Sequence, residues 1–370
     1  MTWNIVSDSS CDLRMSAFES DLVGFETVPL RLQVGAREFL DNDDLVVPDL
    51  LDAMAAEKSA SSSACPSPAA FARAFESGDC TVCFTISANL SGTYNAAVMG
   101  REMVLEEHPE KKICVIDSKS TAGAMVLLIR KAKALMEAAA GPEDFESICD
   151  QLRLYQAALR TCFTLENFDN LIKNGRMRPL VGTLLHSLGI HVIADATPQG
   201  TIHVADKARG EAKTYKAITA LMRQSKDCTG AEVVISHCEN LAGALKLKQQ
   251  ILEDLPVHSV DILPCRGLTS WKRASFSATD PIRSYIPIQE RTGFGLFFFY
   301  FPRMKREKTQ TLCQSKPCEK KGVNQDWKPE FIIPRRSAVC GESCCTARAR
   351  SWKTSCPNIW SGCCLTTFPI

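Results

Sequence analysis

No stretch of this chain approaches the roughly 20 consecutive apolar residues that a membrane-crossing helix needs. The block LFFFYF at 296–301 is far too short. The opening MTWNIVSDSSCDL lacks the basic start and apolar core of a secretory leader, so a cytoplasmic protein with no integral membrane segment is expected. The phosphate loops of nucleotide enzymes are missing too: there is no G-x-x-x-x-G-K-[ST] and no G-x-G-x-x-G. Ser91 has glycine on one side only, so it lacks the G-x-S-x-G elbow of a serine hydrolase. His186, His191, His203, His237 and His258 are candidate bases without a telling spacing. Cys80-Thr81-Val82-Cys83 fits C-x-x-C, but inside a strand alternate side chains face opposite sides, which argues against redox or zinc work. No cofactor and no metal site is expected.

Of 18 cysteines, ten lie in residues 1–270 without a framework spacing. Cys83, Cys114 and Cys162 sit inside apolar runs, where a free thiol acts as a small hydrophobe. The net charge of +1 hides a division. Residues 271–370 carry 17 basic and 7 acidic side chains, against 26 and 35 before them. Such asymmetry marks a nucleic-acid or membrane tail, or a segment of different origin.

Up to residue 270 short apolar runs alternate with helical periodicity. Strands are expected at WNIVS, VPLRLQV, TVCFTI, KICVID, RTCFTL, GIHVIA, TIHVAD, AEVVIS and HSVDIL. Helices are expected between them, with Pro48, Pro68 and Pro142 at starts where a missing N–H costs nothing. The fold class is α/β. The AAAGPED break near Gly141 suggests a domain boundary between about 140 and 160. After Ser270 neither a period of 2 nor one of 3.6 is sustained, and no compact domain can be drawn.

The chemistry concentrates at strand ends, where open α/β sheets form their ligand crevice. Asp8-Ser9-Ser10 follows one strand, Ser87 and Ser91 a second, and Asp117-Ser118 a third. Helix capping explains any one of these; three together are a concentration of donors. TISANLSGTYNAAV couples a strand end to a small-residue turn at Ser91-Gly92-Thr93 and then a helix start, a natural anion receiver. SASSSACPSPAAF, at 59–71, reads by itself as a hydroxyl-rich loop. Arg176, Arg178, Lys207 and Arg209 fall beside element ends, where solvated surface charge is the simpler reading.

Taken in order, these segments resemble the DegV family of bacterial fatty-acid-binding proteins. IVSDSSCDL is similar to its opening strand and turn, SSSACPSP to its hydroxyl loop, ISANLSGTYNAA to its most specific signature and VIDSKSTAGA to its D-S strand end. TLENFDNLIKNGRM is similar to its leucine-rich helix and Gly-Arg turn, and GTIHVADKARGEAK to its Lys-x-Arg-Gly strand. The resemblance covers about residues 3–270.

It implies a two-domain fold, residues 1–158 with a parallel sheet and 159–270 with a mixed sheet, while composition makes 271–370 an irregular basic, Cys-rich tail. It further implies a long-chain fatty acid in an internal tunnel, the acid being a bound ligand and the protein a carrier, not an enzyme. Its carboxylate would meet Ser91, Gly92 and Thr93, with Ser62 or Ser63 opposite. Asp8, Ser9, Asp117, Ser118 and Arg266 would line the site. Arg176 would lie on the surface that meets a partner fatty acid kinase, which makes acyl-phosphate. DILPCRGLTS still resembles the family, but the match stops within a residue or two of Ser270, as a frameshift would produce. Two rival functions remain open: a Ser-dependent acyl hydrolase, and nucleic-acid binding through the tail.

Overall fold

The computed structural model describes residues 2–57, 61–165, 168–178, 190–225 and 228–271, together with the backbone of 295–301. The first half runs β1 (Trp3–Asp8), β2 (Val23–Val28), β3 (Arg31–Val34), β4 (Arg37–Leu40), α1 (Val47–Ala56), β5 (Ser62–Ala64) and α2 (Pro68–Glu76). It continues with β6 (Cys80–Thr85), α3 (Thr93–Glu107), β7 (Lys112–Asp117), α4 (Gly123–Glu137) and α5 (Phe145–Ala158). Strands β2-β1-β6-β7 form an all-parallel sheet in that order. All six residues of β6 are buried, as expected of a parallel strand covered on both faces. A small antiparallel sheet, β4-β3-β5, sits beside it.

The second half comprises β8 (Arg160–Leu165), α6 (Asp169–Lys173), β9 (Ile190–Ala196), β10 (Ile202–Arg209) and α7 (Glu211–Ser225). It ends with β11 (Glu232–His237), α8 (Leu241–Asp254), β12 (Ser259–Pro264), α9 (Gly267–Trp271) and β13 (Gly295–Phe301). Its sheet is mixed, in the order β10-β9-β8-β13-β11-β12. Sheet membership changes between β7 and β8, and we propose the domain division near residue 158 on that ground. The described residues up to 301 nevertheless belong to one compact unit.

Helix α4 lies between the two sheets. It touches β1, β2 and β6 of the parallel sheet and β11 and β13 of the mixed one. Its first seven residues, Gly123–Ile129, are all buried. A helix apolar all round belongs inside a protein, and GAMVLLI is such a segment.

Each of the nine expected strand runs contributes to a strand. The reading missed β2, β4 and β5, and it placed no element after residue 270. That last point needs correcting: β13, within the segment expected to be irregular, pairs antiparallel with β8 on one side and β11 on the other. The rest of the expected tail lies outside the described residues. Because β13 stands between β8 and β11, a chain ended at Trp271 should split the sheet and leave each of these strands with one open edge. With each lost ladder bond worth about 0.5–1.5 kcal/mol, destabilisation should exceed about 3 kcal/mol. Chemical denaturation of both chain lengths tests this; equal midpoints would make β13 dispensable.

Candidate functional site

The parallel strands end together, and carboxylates tie their ends to the following loops. Asp8 Oδ2 accepts from the Ile86 N–H at 2.6 Å, joining the end of β1 to the end of β6, and Oδ1 accepts from Ser10 N at 2.9 Å. Asp117 Oδ1 accepts from Ala88 N (3.1 Å) and Lys119 N (2.9 Å). Ser118 Oγ donates to Ser120 O and accepts from Ser120 N. Lys119 and Ala122 adopt positive φ (51° and 57°), conformations that cost on the order of 1–3 kcal/mol and persist only where surroundings impose them. These polar groups shape the rim by holding backbone.

From this rim the elbow 87–93 rises. Leu90 N and Ser91 N both donate to Ser87 O, closing a tight turn. Gly92 is the N-cap of α3 and supplies no side chain to it, and no acidic residue occupies the first turn. Ser91 Oγ is half-buried and 2.8 Å from Thr93 Oγ1, while Thr93 N points at Ser91 Oγ at 3.4 Å. Two hydroxyls and the amide end of a fifteen-residue helix thus converge, where the helix dipole favours negative charge. Ser91 therefore meets a second hydroxyl, which is too weak a base to take its proton.

Three segments crowd this elbow. The β5 segment approaches first: a Cβ placed on Gly92 would lie 3.6 Å from Cys65 Sγ. Ser63 opposes Leu32 and Ser62 opposes Gln33 in the β3–β5 pairing; Ser62 is exposed and Ser63 half-buried. Next, exposed Arg176 donates through Nε to Leu90 O at 3.1 Å. Gly175 before it has φ +70°, the left-handed turn that ends α6 and that glycine adopts without strain. Finally, the β9–β10 hairpin tip docks on the elbow: Ser87 Oγ donates to Gly200 O (2.8 Å) and Asn89 Nδ2 to Gln199 O (2.6 Å). Gly200 has φ +81°, and a Cβ there would collide with Ser87 Oγ and come within 2.9 Å of Lys119 Cα. Sequence reasoning missed this docking; the turn P-Q-G was its only signal.

Behind Leu90 a cavity of about 30 Å³ is lined by Thr121, Thr161, Phe163, Leu171 and Ile202 among others. That is room for about two waters, not for an acyl chain. Residues 166–167 and 179–189, next in sequence to two of its walls, lie outside the described residues, and so does His186.

Ser9 and Arg266 belong to a neighbouring network, apart from the elbow. Ser9 Oγ donates to Asp41 Oδ2 (2.9 Å) and accepts from Leu30 N. The Arg266 guanidinium, 2 % exposed, donates to Leu13 O (3.0 Å) and Asp41 O (3.4 Å) and pairs with Asp43 at 3.0 Å. Asp41 also accepts from Gly267 N and Leu268 N, and Asp12 accepts from Arg266 N and the Thr269 hydroxyl. Burial pushes the Asp12 and Asp41 carboxyls above the ordinary carboxylate range; Arg266 opposes this at Asp41. Cys80 and Cys83, the C-x-x-C pair, fall in different hydrophobic clusters, and among the described residues no group of acidic, histidine or cysteine side chains could hold a metal. No described helix is long and apolar enough to cross a membrane.

Fold and rim define an α/β protein in which hydroxyls and a helix start gather at the carboxyl ends of the parallel strands. The model of the DegV family, described as "Uncharacterised protein, DegV family", matches residues 2–271. This chain belongs to the DegV family. It is 36% identical over 271 residues to a DegV domain-containing protein of Streptococcus gordonii, covering 73% of this chain and 95% of that protein. It is 37% identical over 282 residues to one from Streptococcus pyogenes serotype M1, covering 76% and 97%. Among solved structures it resembles the Streptococcus pneumoniae Fatty Acid Kinase (Fak) B3 protein loaded with linoleic acid: TM-score 0.73, 32% identity, 82% of this chain and 100% of that one. A DegV family protein of Eubacterium eligens loaded with heptadecanoic acid gives TM-score 0.71 at 30% identity, with the same coverage.

The Arg266 network makes a prediction. Arg266→Met leaves buried carboxylates without their counter-charge and should cost about 3–5 kcal/mol at neutral pH. Asp12 and Asp41 have raised folded values, so their protonated forms stabilise the fold below the ordinary carboxylate value. That contribution is lost as pH rises through the raised values. Removing Arg266 raises the Asp41 value further, so the deficit should shrink on acidification from neutral pH. Denaturation midpoints at two pH values check this; a pH-independent deficit would contradict it.

Proposed function

We propose that this protein binds a long-chain fatty acid and presents its carboxylate, at the Ser91–Gly92–Thr93 start of α3, to a partner fatty acid kinase that makes acyl-phosphate. The observation that carries the reading is the convergence of the Ser91 and Thr93 hydroxyls with the helix start, against the β5 segment. The likeness to a Fak B3 protein loaded with linoleic acid supports the choice of ligand. Burying about 15 methylenes at about 0.8 kcal/mol each supplies on the order of 12 kcal/mol before association costs. The head group then needs only enough donors to avoid an unpaired buried anion. Neutral hydroxyls meet that need and leave the oxygens open to phosphorylation. Ser62 or Ser63 supplies a further hydroxyl, and Asp8, Asp117 and Ser118 shape the loops around it.

Losing one neutral donor to a carboxylate costs about 1.5–3 kcal/mol, or about tenfold to a hundredfold in affinity. Ser91→Ala should weaken fatty-acid binding by that factor without unfolding the protein or changing its chain-length preference. Fluorescent fatty-acid titration measures it, and wild-type affinity would refute the role.

Arg176, exposed beside the elbow, is proposed as a kinase contact. Arg176→Ala should leave fatty-acid affinity unchanged and slow acyl phosphorylation by the kinase. Equal loss of both would place Arg176 in the binding site. The hydrolase alternative would require burst kinetics on acyl esters.

A further inference from the structure

Nine of the ten cysteines in residues 1–270 are buried, and most behave as small hydrophobes. Cys83 and Cys162 are typical: burial pushes both thiols up, Cys162 to about 12. One pair differs. Cys114, on β7, and Cys149, on α5, belong to the same core cluster, where α5 packs on β7. Arg153, one turn beyond Cys149 on α5, donates through Nη2 to Cys114 Sγ at 3.3 Å. Its other nitrogen, Nη1, is fixed by Asp150 at 2.8 Å. The Arg153 side chain is half in solvent, so Cys114, 5 % exposed, lies directly beneath a surface guanidinium.

A thiol facing a fixed cation and a second thiol is arranged unlike a packing residue. The cation favours the thiolate, which is the reactive form. The Cys149 donor and Arg153 together lower the Cys114 value despite burial; Arg101 adds to this and Glu146 opposes it. The cost falls on Cys149, whose thiol is held protonated by the same contact.

We propose that Cys114 and Cys149 form a peroxide-reactive dithiol, a modification site in which Cys114 is attacked first and Cys149 resolves it. The Cys114 thiolate displaces hydroxide from hydrogen peroxide: an S–O bond forms, the O–O bond breaks, and the sulfur is oxidised to the sulfenic acid. Cys149 then gives up its proton and attacks that sulfur. The S–S bond forms, the S–O bond breaks, and the departing hydroxide takes the proton as water. Overall two thiols and one peroxide give one disulfide and two waters, and an external dithiol reverses the step. The cross-link joins α5 to β7, the strand that ends at Asp117.

The test treats the reduced full-length protein with hydrogen peroxide, blocks remaining thiols and quantifies peptides by mass spectrometry. A Cys114–Cys149 cross-linked peptide should appear while Cys83 and Cys162 stay reduced, and a small dithiol should abolish it. Cys149→Ser should trap the Cys114 sulfenic acid for capture by a dicarbonyl reagent; Cys149→Ala serves the same purpose if the serine variant folds poorly. Arg153→Gln should slow the reaction measurably, since losing the cation lowers the thiolate fraction at Cys114. Oxidation of exposed Cys65 with Cys114 still reduced would overturn the proposal. So would oxidised Cys114 without a link to Cys149, or an unchanged rate in Arg153→Gln.

Discussion

Helix α4 is the constraint on which the rest depends. GAMVLLI has no polar face, so it must be covered on every side, and the two sheets supply the cover. Once they clasp it, the ends of β1, β6 and β7 face the β9–β10 hairpin, and hydroxyl contacts close the seam: Ser120 Oγ to Thr161 Oγ1 at 2.7 Å, and Ser87 Oγ to Gly200 O. Arg130, on α4 itself, adds an ion pair to Asp261 of β12 at 2.6 Å. The loop entering α4 is bound to the turn after β1, since Ala122 N and Thr121 Oγ1 both donate to Ser10 O. Core burial and rim geometry are therefore one arrangement.

At the rim two kinds of polar group do different work. Two carboxylates, buried Asp8 and half-buried Asp117, accept from backbone N–H groups and set loop shape. Among the described residues, the neutral hydroxyls of Ser91 and Thr93 stand at the helix start with only each other and a long amide contact. Placing fixed negative charge in the first group and none in the second keeps the helix end attractive to an incoming anion. Arg266 is removed from competition by Leu13, Asp41 and Asp43.

Strands β1, β6 and β7 and the elbow were legible because each is a local signal: a short apolar run, a small-residue turn, a helix start. β2 was missed because VGFETV mixes polar and apolar residues and is only partly buried. β5 was missed because SSA has the composition of a loop and becomes a strand only by pairing with β3. β13 was missed because it follows a long stretch without periodicity and finds its neighbours about 130 and 60 residues back. The position of Arg266 was equally hidden, since its partners at 12–43 lie more than 220 residues away in sequence. The strand-end aspartates were recognised as a group, but only the coordinates separate those that hold backbone from the hydroxyls that face the helix start.

The most direct test of the central claim is chemical. The full-length protein, purified from a host containing fatty acids, is denatured in organic solvent and the extract analysed by mass spectrometry against protein amount. The account predicts about one long-chain fatty acid per chain, with the purified protein taking up isotope-labelled acid in exchange. Absence of co-purified acid, together with failure to retain added labelled acid, would contradict it.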